Sequence, residues 1–301
     1  MGKYFYIENT QAPEVMSPKE LLALPSEAFE QYELSEVAED YEKVMNAPIS
    51  DFGEMLIGLK GLSGRGFVVS YNQGEATYDV RAFTPATLHD WEGCLAFVKS
   101  LANHLGTQVL TDEGDEVRAY DPEHIDYDYR KDIASGIALF EQQEADKEIL
   151  VYGVYSPVVF NEKYRKALLE AEDRVAYFSH FIQSLQHTDA YDADLNFYEI
   201  DGALQGFYSL IAGDAVLLPY TIPPFIDPTR WNIKAEEVKQ WNVVLATINP
   251  ETDRAEIVET ITYEQFLAHL PEDKKEELDG AYMRVLLTEE EIRAIAARSE
   301  K

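Results

Sequence analysis

The residues through which this sequence could do familiar chemistry are six histidines, one cysteine and a glycine-rich run. The run GLKGLSGRGF invites a phosphate loop. A Walker loop needs Gly-Lys-Ser/Thr opening a helix, and a dinucleotide fingerprint needs a strand before it and a helix after it. Here Arg65-Gly66 opens the β-like run Phe67-Val68-Val69, so the segment reads as a turn between strands. A nucleophile elbow, Gly-x-Ser-x-Gly, is missing as well, because Ser63 follows Gly61 but is followed two residues on by Arg65. Cys94 falls on the apolar side of a helical pattern beside Trp91 and Leu95 and reads as a buried, inert thiol.

The histidines stand at 89, 104, 124, 180, 187 and 269. His180 and His187 are spaced to share a helix face, and Asp189, Asp192 and Asp194 follow; two histidines and a carboxylate can bind zinc or iron. No His-Glu-x-x-His or cysteine pair joins them, and the rival reading is a solvated helix end. Asp192-x-Asp194-x-Asn196 copies the first ligands of an EF-hand, but Phe197 and Ala203 stand where the loop requires Gly and Glu. No cofactor and no metal is implied. A glycosidase-type carboxylate pair cannot be argued from sequence, which does not tell which acids converge.

Charge is the strongest signal. The chain of 301 residues carries 56 Asp and Glu against 25 Lys and Arg, a net charge of −31, and the excess is spread over both halves. Such a field repels nucleic acid and anionic membrane and attracts basic proteins, although solubility alone would explain it. With no basic stripe, nucleic-acid binding is not expected. Between Asp112 and Asp128 the carboxylates Asp112, Glu113, Asp115, Glu116, Asp121, Glu123, Asp126 and Asp128 face the single base Arg118 and interleave with Tyr120 and Tyr127; Tyr129 follows directly. These eight acids are the candidate partner-binding residues, with a basic protein as the partner. The plain alternative is a solvated loop and helix face.

The elements that must position these residues follow from periodicity. KYFYIE opens as a strand, and Ser17-Pro18-Lys19-Glu20 is a capping box for a short helix ended by Pro25. Phe29, Tyr32, Val37, Tyr41 and Val44 have helical spacing and predict broken helix over 26–46. Phe67–Tyr71 and Ala76–Phe83 around Asn72-Gln73-Gly74 predict a hairpin with one wet face. Thr84-Pro85 is expected to start the clearest helix in the chain, which buries Trp91, Leu95, Val98 and Leu101 and stops at Gly106.

Residues 149–160 read as further β structure, Asn161 as the cap of a charged helix, and Val175–Gln186 as another helix. Leu195–Ile200, Ala203–Leu210 and Ala215–Leu218 carry turns between them that predict a meander. Trp241–Ile248 with Glu256–Ile261 predict a last hairpin, and Thr262/Gln265 and Thr288/Glu291 are capping boxes. The likeness of Ser17-PKELLALP to Thr262-YEQFLAHLP reflects shared helix chemistry and not duplication.

The fold class is therefore α+β, mainly antiparallel sheets with inserted helices. The polar run at 141–148 suggests regions 1–145 and 146–301, with one continuous domain as the alternative. A lone cysteine fits a reducing compartment, MGKYFYIEN lacks the apolar run of a signal peptide, Tyr6 spoils a myristoylation motif begun by Gly2, and Ala215–Ile226 is too short and proline-rich to span a bilayer. The expectation is a cytoplasmic protein without membrane association.

Arg65-Gly66 leading into Val68-Val69-Ser70-Tyr71, then Tyr78-x-Val80-Arg81-x-Phe83-Thr84-Pro85, then Asp90-Trp91, and a second patch from Leu204 to Pro219, resemble a family of Gram-positive bacterial proteins of unknown function and about this length. The resemblance implies no activity, cofactor or site. The expected function is non-catalytic binding of a protein partner; the alternative is an enzyme or small-molecule binder whose site is built from dispersed residues.

Self-repulsion at this net charge predicts that salt stabilises the fold. The melting temperature should rise between very dilute buffer and moderate sodium chloride, as screening shortens to about 8–10 Å. A flat or falling curve would show that the acids are paired locally.

Overall fold

The computed structural model describes residues 2–9, 14–34, 41–114, 116–144, 147–221, 223–226 and 231–299. Along the chain these form β1 (Gly2–Glu8), α1 (Pro18–Leu22), β2 (Phe29–Leu34), α2 (Tyr41–Asn46), β3 (Glu54–Leu59), β4 (Phe67–Asn72), β5 (Thr77–Phe83), α3 (Leu88–Leu105), β6 (Val109–Glu113), β7 (Glu116–Tyr120) and α4 (Tyr129–Glu141). There follow β8 (Ile149–Tyr152), β9 (Pro157–Phe160), α5 (Glu162–Glu170), α6 (Arg174–Gln186), β10 (Tyr191–Asp192), β11 (Leu195–Ile200), β12 (Ala203–Ile211) and β13 (Ala215–Pro219). The last elements are β14 (Gln240–Asn249), β15 (Arg254–Thr262), α7 (Tyr263–His269), β16 (Glu276–Glu277), β17 (Tyr282–Leu286) and α8 (Glu289–Ser299). Most strand pairs are antiparallel, so the class is α+β as the sequence predicts.

The chain divides into two compact units: residues 1–147, 151–157 and 165–187 form one, and residues 148–150, 158–164 and 188–301 the other. The first contains a seven-stranded sheet in the order β2-β3-β4-β5-β1-β6-β7. Strict alternation along β1 and β5 sends Phe5, Ile7, Tyr78, Val80 and Ala82 to one face, where they are fully or almost fully buried with α3 packed against them. Tyr4, Tyr6, Asp79 and Arg81 point to the opposite, wetter face. Trp91, Cys94, Phe97, Val98, Leu101 and Ala102 of α3 have no exposure at all.

In the second unit β11-β12-β14-β15 and β10-β13-β17-β16 are separate four-stranded sheets. One core joins them: Tyr208, Leu210, Val243 and Leu245 of the first sheet cluster with Val216, Leu218, Met283 and Val285 of the second and with Phe266, Ile292 and Ile295 of α7 and α8.

Four expectations change. Residues 29–34 form a strand where broken helix is predicted; a bulge between Gln31 and Glu33 inserts a residue and gives Phe29 and Tyr32 a helix-like spacing. Of that prediction, residues 35–40 lie outside the described residues, and α2 alone is helical. Helix α3 begins three residues later than Thr84-Pro85, because Thr87 with Asp90 makes the capping box. Leu95 is only half-buried and Phe97 takes the buried place expected of it. The predicted meander stops at its first hairpin: β11 and β12 pair across Asp201-Gly202, but β13 leaves for the other sheet, and β12 instead pairs in parallel with β14. Leu210 and Leu218 can then both enter the shared core.

Trp91 stacks on Tyr127 at 5.2 Å and meets Phe5 edge-on at 6.3 Å. Trp91→Ala should therefore cost about 3–5 kcal/mol in denaturant melts, as for a large buried aromatic; a loss under about 1 kcal/mol would contradict this packing. Burial also pushes the Cys94 thiol well above its ordinary pKa. Thiol reagents should label it slowly in the native protein and fast in denaturant.

Candidate functional site

The glycine-rich run does build an anion cradle, and the protein fills it with its own carboxylate. Asp90, at 1% exposure, takes hydrogen bonds on Oδ1 from the backbone N–H of Gly64 (3.0 Å) and Gly66 (2.9 Å). On Oδ2 it takes them from the N–H groups of Arg65 (3.0 Å) and Thr87 (2.9 Å) and from the Thr87 hydroxyl (2.7 Å). Gly64 must be glycine, since a Cβ there would meet Thr87 at 2.6 Å, and Gly66 adopts a φ of +66°.

The Arg65 side chain lies over the Phe83 ring at 4.7 Å and donates to the carbonyls of Tyr152 (2.8 Å) and Pro85. Burial lowers its guanidinium to about 10, against the pull of Asp90. Arg65, Gly66, Phe83, Pro85 and Asp90 thus form one network that ties the β3–β4 turn to the start of α3. The backbone donors of the cradle are taken by Asp90, so none is left there for a phosphate.

The acidic segment is a hairpin and a loop rather than a loop and a helix face. Strands β6 and β7 pair from Val109↔Tyr120 to Glu113↔Glu116, at one end of the seven-stranded sheet. Arg118 organises one side of it: its guanidinium reaches Glu113 (3.2 Å) and Asp126 (2.7 Å) and covers the Tyr120 ring at 4.4 Å. Burial and a hydrogen bond to Glu113 raise the Tyr120 hydroxyl to about 12. Asp128 caps α4 by accepting from Lys131 N–H at 3.2 Å.

Glu123 turns away to Lys99 (2.7 Å) and Asn103 (2.8 Å) on α3. Asp112 sits on the opposite sheet face, where its Oδ2 accepts from the Tyr6 hydroxyl at 3.0 Å. Burial is the larger cause, and Asp112 the next, in raising Tyr6 to about 12. Glu116 and Asp121 are exposed, and Asp115 lies outside the described residues. The fold therefore gathers Glu113, Asp126 and Asp128 and separates Asp112, Asp121 and Glu123 from them.

Between β1, β7 and α4 these residues line an open polar pocket of about 360 Å³, together with Lys3, Tyr127, Lys131, Asp132 and Ser135. Asp132 is half-buried, accepts from the Thr84 hydroxyl at 2.9 Å, and is raised above the usual carboxylate range chiefly by burial. Sequence reading missed these partners. Lys131, Asp132 and Ser135 follow Asp128 at spacings of three, four and seven, which a helical reading of α4 would have found; nothing in the sequence places Lys3 there.

The histidine pair does not converge on a site. His180 is exposed, while His187 ends α6 and donates from Nε2 to the Ser63 carbonyl at 2.9 Å. Among the described residues no group of three or more His, Cys, Asp or Glu is placed to hold a metal ion, and no helix is long and apolar enough to cross a membrane.

A family model described as Domain of unknown function (DUF4299) matches residues 2–295. The chain belongs to that family. No curated protein and no solved structure matches it. In this DUF4299 protein Arg65, Gly66 and Asp90 of the first motif patch build the cradle, and Phe83 and Pro85 of the same patch hold the Arg65 side chain.

Asp90→Ala would strand four backbone N–H groups, so it should destabilise the protein by roughly 3–5 kcal/mol, as when a buried polar network loses its acceptor. Asp90→Asn should also destabilise, because an amide turns an N–H toward donors. Urea midpoints close to those of the unaltered protein would contradict the network.

Proposed function

We propose that this is a non-catalytic, acidic, cytosolic protein that acts by binding another protein, and that the partner is basic. We read it further as bacterial and from a Gram-positive organism, on the motif resemblance alone, and as cytoplasmic on its use of a single, unbridged cysteine. The observation that carries the binding reading is the position of the acidic segment. Its carboxylates lie on an exposed hairpin at the end of the seven-stranded sheet and on the loop that follows it, with Asp112, Glu116 and Asp121 turned to solvent. Val117 and the rim of Tyr4 supply exposed apolar surface on the same sheet face as Asp112.

The polar pocket supports a second reading, an enzyme or small-molecule binder with a dispersed site. There a half-buried carboxyl, Asp132, stands with Tyr127, Lys3 and Lys131 around one space, which is how perturbed groups gather at functional sites.

The test is affinity capture from lysate of the native cell, at low and high salt, followed by on-rate measurement with the captured partner. Asp112→Asn, Glu116→Gln and Asp121→Asn together spare the carboxylates that hold Arg118. The on-rate of the triple variant should fall about tenfold or more and lose most of its salt dependence. An unchanged on-rate would reduce the segment to solvated surface, and no capture at any salt would favour the pocket.

A further inference from the structure

We infer that the outer edge of β7 is the docking strand, and that the partner adds to it as an extended segment bearing alternate lysines or arginines. This deepens the reading of a basic protein partner and rests on it. The first observation is geometric. Strand β7 ends the sheet, pairs with β6 over Glu116–Tyr120 in unbroken register, and among the described residues receives no backbone hydrogen bond from its other side. In an antiparallel pair alternate residues turn their N–H and C=O groups away from the partner, so a row of unused donors and acceptors faces outward.

The second observation is that three of the usual protections of such an edge, a bulge, a proline and a projecting lysine, are missing. Sheet edges are blunted by bulges, prolines, short length or projecting lysines. The opposite edge strand of the same sheet, β2, carries a bulge between Gln31 and Glu33. In β7 there is no bulge, no proline and no lysine. Its one cation, Arg118, is folded back over Tyr120 and held by Glu113 and Asp126, so that it does not project from the edge. Val117, 65% exposed, and Ala119 leave the opposite face of the strand small and unhindered.

The third observation selects the occupant. A strand laid beside β7 would run past Glu116 at one end and Asp121 at the other, in the field of a chain with net charge −31. Cross-strand pairing favours opposite charges and penalises like ones. An acidic or neutral segment has no such preference here, and a second copy of this chain would bring its own negative charge.

The experiment uses two short synthetic peptides of equal charge, one alternating lysine with valine and one of the same sequence N-methylated at every backbone amide, which cannot donate to a ladder. Binding is measured by calorimetry, and amide hydrogen exchange locates it. The unmethylated peptide should bind about tenfold or more tightly than the methylated one, as expected when several backbone hydrogen bonds are lost, and should protect amides of Glu116–Tyr120. Equal affinities, both lost in high salt, would overturn strand addition while leaving the basic-partner reading in place. Protection at β2, β11 or β15 instead of β7 would overturn it as well. If neither peptide binds at low salt, the edge proposal falls, and the capture experiment judges the wider reading separately.

Discussion

A carboxylate with almost no access to water ties the first unit together. Asp90 gathers the N–H groups of three consecutive residues, Gly64 to Gly66, and of its own helix cap, Thr87, onto two oxygens. Hydrogen bonds to a charged acceptor are roughly twice as strong as neutral ones, and an unmade one inside the protein costs the full desolvation of the donor. The turn between β3 and β4 and the first turn of α3 are thereby fixed to each other. That contact sets where Trp91 enters the core, and Trp91 in turn supports Tyr127, which lines the polar pocket.

The second unit uses the same device. Asp279, 3% exposed, accepts from the N–H groups of Val159, Ala281 and Tyr282, each at 2.8 Å. Burial still raises its carboxyl above the ordinary range, against the lowering effect of those donors. In both places an aspartate takes the role that a bound anion plays in a phosphate loop. Glycine-rich geometry in this protein is therefore better explained by an internal ligand than by a missing one.

Surface charge is organised on a different scale. Among the described residues, the ion pairs are mostly between exposed groups, and such pairs contribute little to stability. Within the acidic hairpin, Arg118 and Lys99 neutralise Glu113, Asp126 and Glu123, while Asp112, Glu116 and Asp121 stay open to solvent. The charge that remains available to another molecule thus lies on Asp112 of β6 and at the two ends of β7, on Glu116 and Asp121, rather than spread evenly over the segment.

Local patterns in the sequence determined much of this. The capping boxes at Ser17, Thr262 and Thr288, the stop of α3 at Gly106, the β4–β5 hairpin and the burial of Cys94 depend on residues close in the chain, whose chemistry does not wait for tertiary context. What only the tertiary structure decided are the long-range choices. A bulge disguised β2 as helix, and β13 left the predicted meander because a second sheet offered Leu218 a shared core. Lys3 joined Asp128 and Asp132 around one pocket although more than a hundred residues separate them. The glycine-rich turn found its anion in Asp90, 24 residues after Gly66. Side-chain period carries the face a residue occupies, but it does not carry the partner across that face, and that pairing depends on sheet order, which no local spacing encodes.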